Sequence, residues 1–80
     1  MVDPSTILQW LKEAGAYAFQ REDPEESLLI DLLVGRSTVG VRVTRGDRQE
    51  FKSLTWSQLE RAERNPLLKL IEETIAASSK

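Results

Sequence analysis

An alternation of valines near the middle of the chain constrains the fold more than any other feature. In the segment 38–44, Val39, Val41 and Val43 alternate with residues that are polar or glycine. Successive side chains of a β-strand point to opposite faces of a sheet, so the three valines share one face. The pattern predicts a strand at 38–44 that is buried on its valine side.

The apolar run 28–34 precedes this strand and has two interpretations. Seven residues are a typical strand length, and the run leads through a short turn at 35–37 into the valine strand. The rival interpretation is a helix over 24–34, because Asp23 followed by Pro24 is a good helix start and Gly35 could end it. We favour the strand.

Side-chain parity then predicts how the strands pair. Phe51 is the large apolar residue of the next strand, and a loop of three or five residues would keep it on the valine face. That register pairs Val41 with Phe51 and Arg42 with Glu50. The same logic in the preceding hairpin sets Asp31 opposite Arg42. We therefore expect a charge ladder of Asp31, Arg42 and Glu50 on the outer face of the sheet.

Parity also separates the apolar residues of the run 28–34 into two sets. The inward set is Leu28, Ile30, Leu32 and Val34. Leu29 and Leu33 are left on the outer face, where they would suit a protein partner or a homodimer interface. A helix folded over that face would be the alternative explanation.

The N-terminal segment predicts an amphipathic helix followed by a short strand. Asp3 is a suitable N-cap with Pro4 in the first turn, and Gly15 is a suitable C-terminal stop. Trp10 is expected to pack in the core. Tyr17 to Phe19 alternates in the manner of a strand, and the acidic residues 22–26 suggest a solvated turn.

The segment 54–65 carries the clearest local helix signal. Thr55 and Gln58 form a capping-box pattern, and Leu54 and Leu59 occupy the positions of a hydrophobic staple. Asn65 precedes a proline, which disfavours helical backbone at the asparagine and predicts a break there.

A second C-terminal helix should begin at Pro66, with Asn65 as its cap. Its expected apolar stripe is Leu67, Leu68, Ile71 and Ile75. Leu70 is predicted to lie toward the flank of that stripe, where it could add to a partner-binding surface. Residues 76–80 are predicted to fray.

Composition excludes several classes of function. The 80 residues include no cysteine and no histidine, which removes disulfides, thiolate metal sites and the commonest general base. A chain of this length supports one core, so we expect a single domain over 1–80. Without a signal peptide or a long apolar run we expect a cytoplasmic protein that does not enter a membrane. We expect no enzyme activity and predict no catalytic residue, cofactor or metal ligand.

The region 32–52 is locally basic in a chain of net charge −2. It holds five basic and two acidic residues. Nucleic-acid binding by this hairpin is therefore the alternative function. The basic residues are Arg36, Arg42, Arg45, Arg48 and Lys52.

A more remote alternative comes from the spacing of Asp31 and Glu50-Phe51-Lys52. This spacing resembles the D…E-x-K motif of the restriction-endonuclease-like superfamily, and the resemblance implies a Mg²⁺-dependent nuclease in which two carboxylates hold the metal. In the expected register a whole strand lies between Asp31 and Glu50, a gap of about 9 to 10 Å, which one Mg²⁺ cannot bridge.

The sequence thus predicts a small α+β domain. It has an N-terminal helix, an antiparallel meander of three to four strands and a C-terminal helical segment broken near Pro66. Its expected function is that of a non-enzymatic interaction or accessory domain that binds protein and can self-associate. Trp56, in the first turn of its helix, is a further candidate for partner contact.

Overall fold

The computed structural model describes residues 2–79 and has the α+β architecture expected from the sequence. The helices are α1 (Pro4–Arg21), α2 (Trp56–Arg61) and α3 (Leu67–Ser78), with a 3-10 turn at Pro24–Glu26. The strands are β1 (Leu28–Val34), β2 (Thr38–Arg45) and β3 (Arg48–Thr55). They form one antiparallel sheet in the order β1-β2-β3.

The first hairpin has the predicted register. Residues 28–34 are a strand and not the rival helix, and Asp31 lies opposite Arg42. The three valines of β2 are completely buried on the inner face of the sheet, which is the face that the helices cover. Leu29 and Leu33 lie on the outer face and are exposed, as expected.

The second hairpin has a different register from the one expected. Its turn contains only Gly46 and Asp47, because Arg45 pairs with Arg48. Gly46 adopts a φ of 63°, a conformation that glycine reaches without the usual steric penalty. A two-residue turn of this kind matches the twist of the strands. The turn geometry, and not the burial of Phe51, therefore sets the register.

The shift by one residue reverses both faces of β3. Arg42 lies opposite Phe51, and Glu50 lies opposite Val43 on the inner side. The predicted pairs of Val41 with Phe51 and of Arg42 with Glu50 are thus wrong. Glu50 does not belong to the charge ladder, which is reduced to Asp31 and Arg42. Leu54 takes the inner apolar position that was expected for Phe51.

Helix α1 continues past Gly15 to Arg21, so the predicted stop and the predicted strand at 17–19 are both wrong. The helical spacing of Trp10, Ala14 and Ala18 explains the length, since all three are buried in the core. The N-cap is as predicted: the Asp3 carboxylate accepts from the Thr6 amide at 2.9 Å. Hydrogen bonds from Ser5 and Thr6 lower the pKa of Asp3.

The capping box and the break near Pro66 are confirmed. Thr55 Oγ1 accepts from the Gln58 amide at 3.1 Å, and Gln58 Oε1 accepts from the Thr55 amide at 2.8 Å. The side chain of Asn65 accepts from the Leu67 amide at 3.0 Å. The helix begins at Leu67 with Pro66 in the N-cap position, one residue later than predicted, and Asn65 lies immediately before the cap.

Two expectations for α3 are wrong. Leu70 is only 6% exposed and packs in the core, so it cannot contribute to a partner surface. The helix also continues through Ser78, which is completely buried, although residues 76–78 were expected to fray. Ser78 Oγ accepts from Arg45 Nε at 3.2 Å, which joins the end of α3 to the end of β2. Lys80 lies outside the described residues.

The core lies between the inner face of the sheet and the two long helices. Helix α1 packs over β1 and against α3, while α3 covers β2 and β3. Trp10 is buried there, as the sequence suggested. Among residues 2–79 no helix combines the length and the apolar character that crossing a membrane would require.

Candidate interaction surface

The outer face of the sheet carries exposed apolar side chains around one ion pair. Leu29 and Leu33 come from β1, and Phe51, which is 54% exposed, comes from β3. Between these side chains, Nη2 of Arg42 donates a hydrogen bond to Asp31 Oδ2 at 3.0 Å. The Nε of Arg42 is buried and has no acceptor among the described residues. The outer face thus has apolar side chains on β1 and β3 and, between them, a pair of opposite charges that cancel.

Phe51 lies across the strand β2 because Gly40 leaves room for it. A Cβ atom on Gly40 would lie 2.5 Å from Cζ and 2.6 Å from Cε1 of Phe51, so any other residue at position 40 would force the ring to move. The ring therefore rests on the bare backbone of β2, an arrangement in which an aromatic side chain covers a strand glycine. A mid-strand glycine beside an aromatic residue of the next strand is the sequence signal that could have placed Phe51 outward.

The open edge of β1 is covered along its first half only. At its start, Leu28 and Asp23 exchange backbone hydrogen bonds of 2.8 and 3.0 Å. The Glu22 carboxylate then accepts from the Ile30 amide at 2.9 Å. These contacts satisfy the outward amides of Leu28 and Ile30, and so protect this part of the edge from other strands.

The second half of the β1 edge has no such cover among the described residues. Backbone groups of a strand alternate in direction, and the Gly35 amide donates to the Thr38 carbonyl at 2.9 Å, toward β2. The even-numbered residues Leu32 and Val34 therefore direct their N–H and C=O groups away from β2. Two residues of backbone are free to pair with another extended chain.

Helix α1 adds apolar side chains beside this edge. Tyr17 and Arg21 face α3, where they bind Glu72. Leu8 and Phe19 lie on the opposite side of the helix, in one row with Gly15. This row is next to β1, because a Cβ atom on Gly15 would lie 3.9 Å from the Leu32 side chain. Leu8 is exposed, and Phe19 is 77% exposed.

We call these exposed apolar residues around β1 the apolar margin. Of the six large apolar side chains that are exposed in residues 2–79, it includes five, and Phe51 is the sixth. The apolar margin consists of Leu8, Phe19, Leu29, Leu33 and Val34. The sequence indicated only Leu29 and Leu33. The other three could not be assigned because α1 was expected to end at Gly15 and Val34 to point into the core.

The predicted basic surface is not gathered on one face. Arg36 is in the turn between β1 and β2, whereas Arg45 and Arg48 lie at the opposite end of the hairpin. Arg42 is on the outer face, and Lys52 is on the inner side of β3 because it pairs with Val41. The five cations therefore do not form a continuous track along a phosphate backbone.

Trp56 acts as an anchor of the β1–β2 turn. Its indole Nε1 donates to the Gly35 carbonyl at 2.9 Å, and its amide donates to the Ser37 carbonyl at 3.2 Å. The side chain is half-buried and packs against the core. Trp56 was a candidate for partner contact, but its bonds to the turn and its packing on the core explain its position without a partner.

The D…E-x-K residues do not assemble. Asp31 lies on the outer face, while Glu50 and Lys52 lie on the inner side of β3. Their carboxylates are on opposite sides of the sheet and cannot share a metal ion. Elsewhere in residues 2–79 no three Asp or Glu residues approach closely enough to hold a metal.

A polar cluster that joins α1 to α3 was not foreseen from the sequence. Glu72 accepts from Tyr17 Oη at 2.6 Å, from Arg21 Nε at 2.7 Å and from Arg21 Nη2 at 3.1 Å. The bonds from Arg21 and Tyr17 lower the pKa of Glu72, and the same carboxylate raises the pKa of Tyr17. These hydrogen bonds serve the contact between the two helices.

Comparison with known proteins found no similar family model, curated protein or solved structure. No pocket is present in the part of the chain that the structure describes. The apolar margin and the outer face next to it are therefore the strongest candidate site.

Proposed function

We propose that this chain is a small, non-enzymatic protein-interaction domain that binds its partner along β1. The observation that carries the proposal is the apolar margin, which gathers nearly all the large exposed apolar side chains beside one strand. Contiguous exposed apolar surface is costly in water and characteristically marks a binding site. The opposite side of the sheet, in contrast, is filled by α1 and α3.

The backbone beside the apolar margin indicates the mode of binding. Free N–H and C=O groups of a strand edge are satisfied by another extended chain, which adds a strand to the sheet. The main-chain hydrogen bonds supply affinity, and the neighbouring side chains select the sequence. Leu32 and Val34 offer such groups directly beside apolar side chains.

Site-specific photo-crosslinking in the cells that produce the protein tests this proposal. A photoreactive amino acid replaces Leu33 in one variant and Gln49 in a control. Gln49 is exposed and also lies on the outer face, but on β3. We expect position 33 to crosslink to a defined polypeptide, either another protein or a second copy of this chain, and position 49 to give much less of that product. Equal yields at the two positions would refute the proposal.

A further inference from the structure

We infer that the partner at the open half of the β1 edge is the same segment of a second copy, paired antiparallel about Leu33. The inference rests on the proposed function, since it names the occupant of the same surface. It predicts a symmetric dimer whose two three-stranded sheets become one continuous sheet. A two-fold axis places identical segments against each other, as in most homodimers.

The free backbone groups select this register. Antiparallel pairing about Leu33 sets Leu32 opposite Val34 of the second copy, and Val34 opposite its Leu32. Each pair exchanges N–H and C=O groups that point away from β2. Pairing about Leu32 instead would bring Val34 against Ile30 of the second copy, whose amide already donates to Glu22. Only the register about Leu33 pairs the two free residues, Leu32 and Val34, with each other.

The side chains that meet where the two β1 strands pair, which we call the seam, are apolar on both faces of the sheet. On the outer face Leu33 would meet Leu33 of the second copy, and on the inner face Leu32 would meet Val34. Val34 is 62% exposed in the single chain, although its parity is inward, because no element of the described chain covers the end of β1. The second copy would cover it. The row of Leu8 and Phe19 on α1 would face its equivalent across the axis.

Charge complementarity also favours a second copy in this orientation. Beyond the paired residues, Arg36 of one copy lies opposite Ile30 of the other, next to the Glu22 carboxylate that caps it. Arg36 is exposed, and Glu22 begins the acidic stretch that runs to Glu26. The basic end of one β1 edge therefore meets the acidic end of the other, and the symmetry repeats this contact.

Sedimentation velocity of the full chain, from micromolar to millimolar concentration, tests the inference with a backbone variant. In Val34→Pro the edge loses an N–H group that does not serve the pairing with β2, and the preceding residue is already extended. We expect its dimer dissociation constant to rise at least about tenfold, because two intermolecular hydrogen bonds are lost. Val34→Thr keeps the N–H and the branched shape and should change the constant far less. Circular dichroism verifies that both variants are folded.

An exchange of charges tests the antiparallel orientation of the two copies. It uses no proline, so its result does not depend on how proline affects folding. Arg36→Glu alone and Glu22→Lys alone each place like charges across the seam, so each variant should dimerise more weakly than the wild type. A mixture of the two restores an attractive pair at both contacts. We expect heterodimers to form in the mixture at least about threefold more tightly than either homodimer.

The outcomes separate this inference from the proposed function. A monomer at all concentrations would overturn the dimer, while crosslinking of position 33 to another protein would still support the interaction domain. A dimer that is insensitive to Val34→Pro and to the charge exchange, but is lost in Phe51→Ser, would also overturn the inference. It would indicate that the outer faces stack, with Asp31 of each copy near Arg42 of the other. Failure of both experiments would remove the proposed function as well.

Discussion

Replacement of Gly46 by alanine tests the turn that sets the register of β3. In the two-residue turn Gly46 has a φ of 63°. A left-handed conformation costs an L-residue about 1–2 kcal/mol. Against this, alanine restricts the unfolded chain and returns about 0.4–1 kcal/mol. A Cβ atom at this position would have no heavy-atom neighbour within 4 Å, so no steric clash is added.

The net expectation is that Gly46→Ala lowers the free energy of unfolding by about 1 kcal/mol. With a urea dependence of about 1 kcal/mol per molar for a small domain, the midpoint should fall by about 1 M. Urea titration followed by tryptophan fluorescence measures this shift, since Trp10 and Trp56 report on the core and on the sheet end.

D-Alanine at position 46, introduced by chemical synthesis, is the matched control. It has the same side chain, but its preferred φ is positive, so it should stabilise the protein relative to glycine by about 0.4–1 kcal/mol. If L-alanine is as well tolerated as glycine, Gly46 does not have a positive φ. The two-residue turn would then be wrong, and the register with Phe51 opposite Val41 would have to be reconsidered.

Three further predictions concern the helices, and urea denaturation measures each of them. Glu72→Gln should destabilise the protein at pH 7 by less than about 1 kcal/mol, since the ion pair is partly exposed. The pKa of Glu72 is lowered in the folded protein, so this contribution is present above the unfolded-state pKa of about 4.3 and is lost as the pH falls through the folded-state pKa. The difference in stability between Glu72→Gln and the wild type should therefore vanish in acid. A difference that stays constant with pH would contradict this prediction. Thr55→Ala should cost about 1 kcal/mol through loss of the cap, and an unchanged midpoint would show that α2 is held by packing alone. Thr74→Val should be neutral or stabilising by up to about 1 kcal/mol, because the buried hydroxyl donates only to the Leu70 carbonyl of its own helix; a loss of more than that would mean that the hydroxyl has another buried partner.

The candidate site could be predicted from the sequence only in part. Alternation within β1 is enough to place Leu29 and Leu33 on the outer face. Whether the edge of β1 is open is not a property of β1 itself. The Glu22 carboxylate reaches the Ile30 amide only because α1 extends to Arg21 and brings residue 22 beside the strand. The contrast between a covered and an open half of the edge therefore requires the packing of helix on sheet.

The local signals were sufficient wherever the stabilising groups are close in sequence. The capping box at Thr55, the break at Asn65-Pro66 and the burial of the β2 valines each depend on residues a few positions apart. Backbone geometry and side-chain alternation operate over that range in any context. These elements are therefore determined by the sequence itself.

Tertiary structure decided the features in which distant segments compete for the same core. Leu70 is buried because α3 lies across β2 and β3, and α1 passes Gly15 because Ala18 and Tyr17 have partners in the sheet and in α3. Leu54, and not Phe51, lies on the inner face of β3 because a two-residue turn sets the register. Local propensity is worth a few tenths of a kcal/mol per residue, whereas burial of a large apolar side chain contributes about 1.5–3 kcal/mol. Long-range packing therefore determines which apolar side chains remain beside β1.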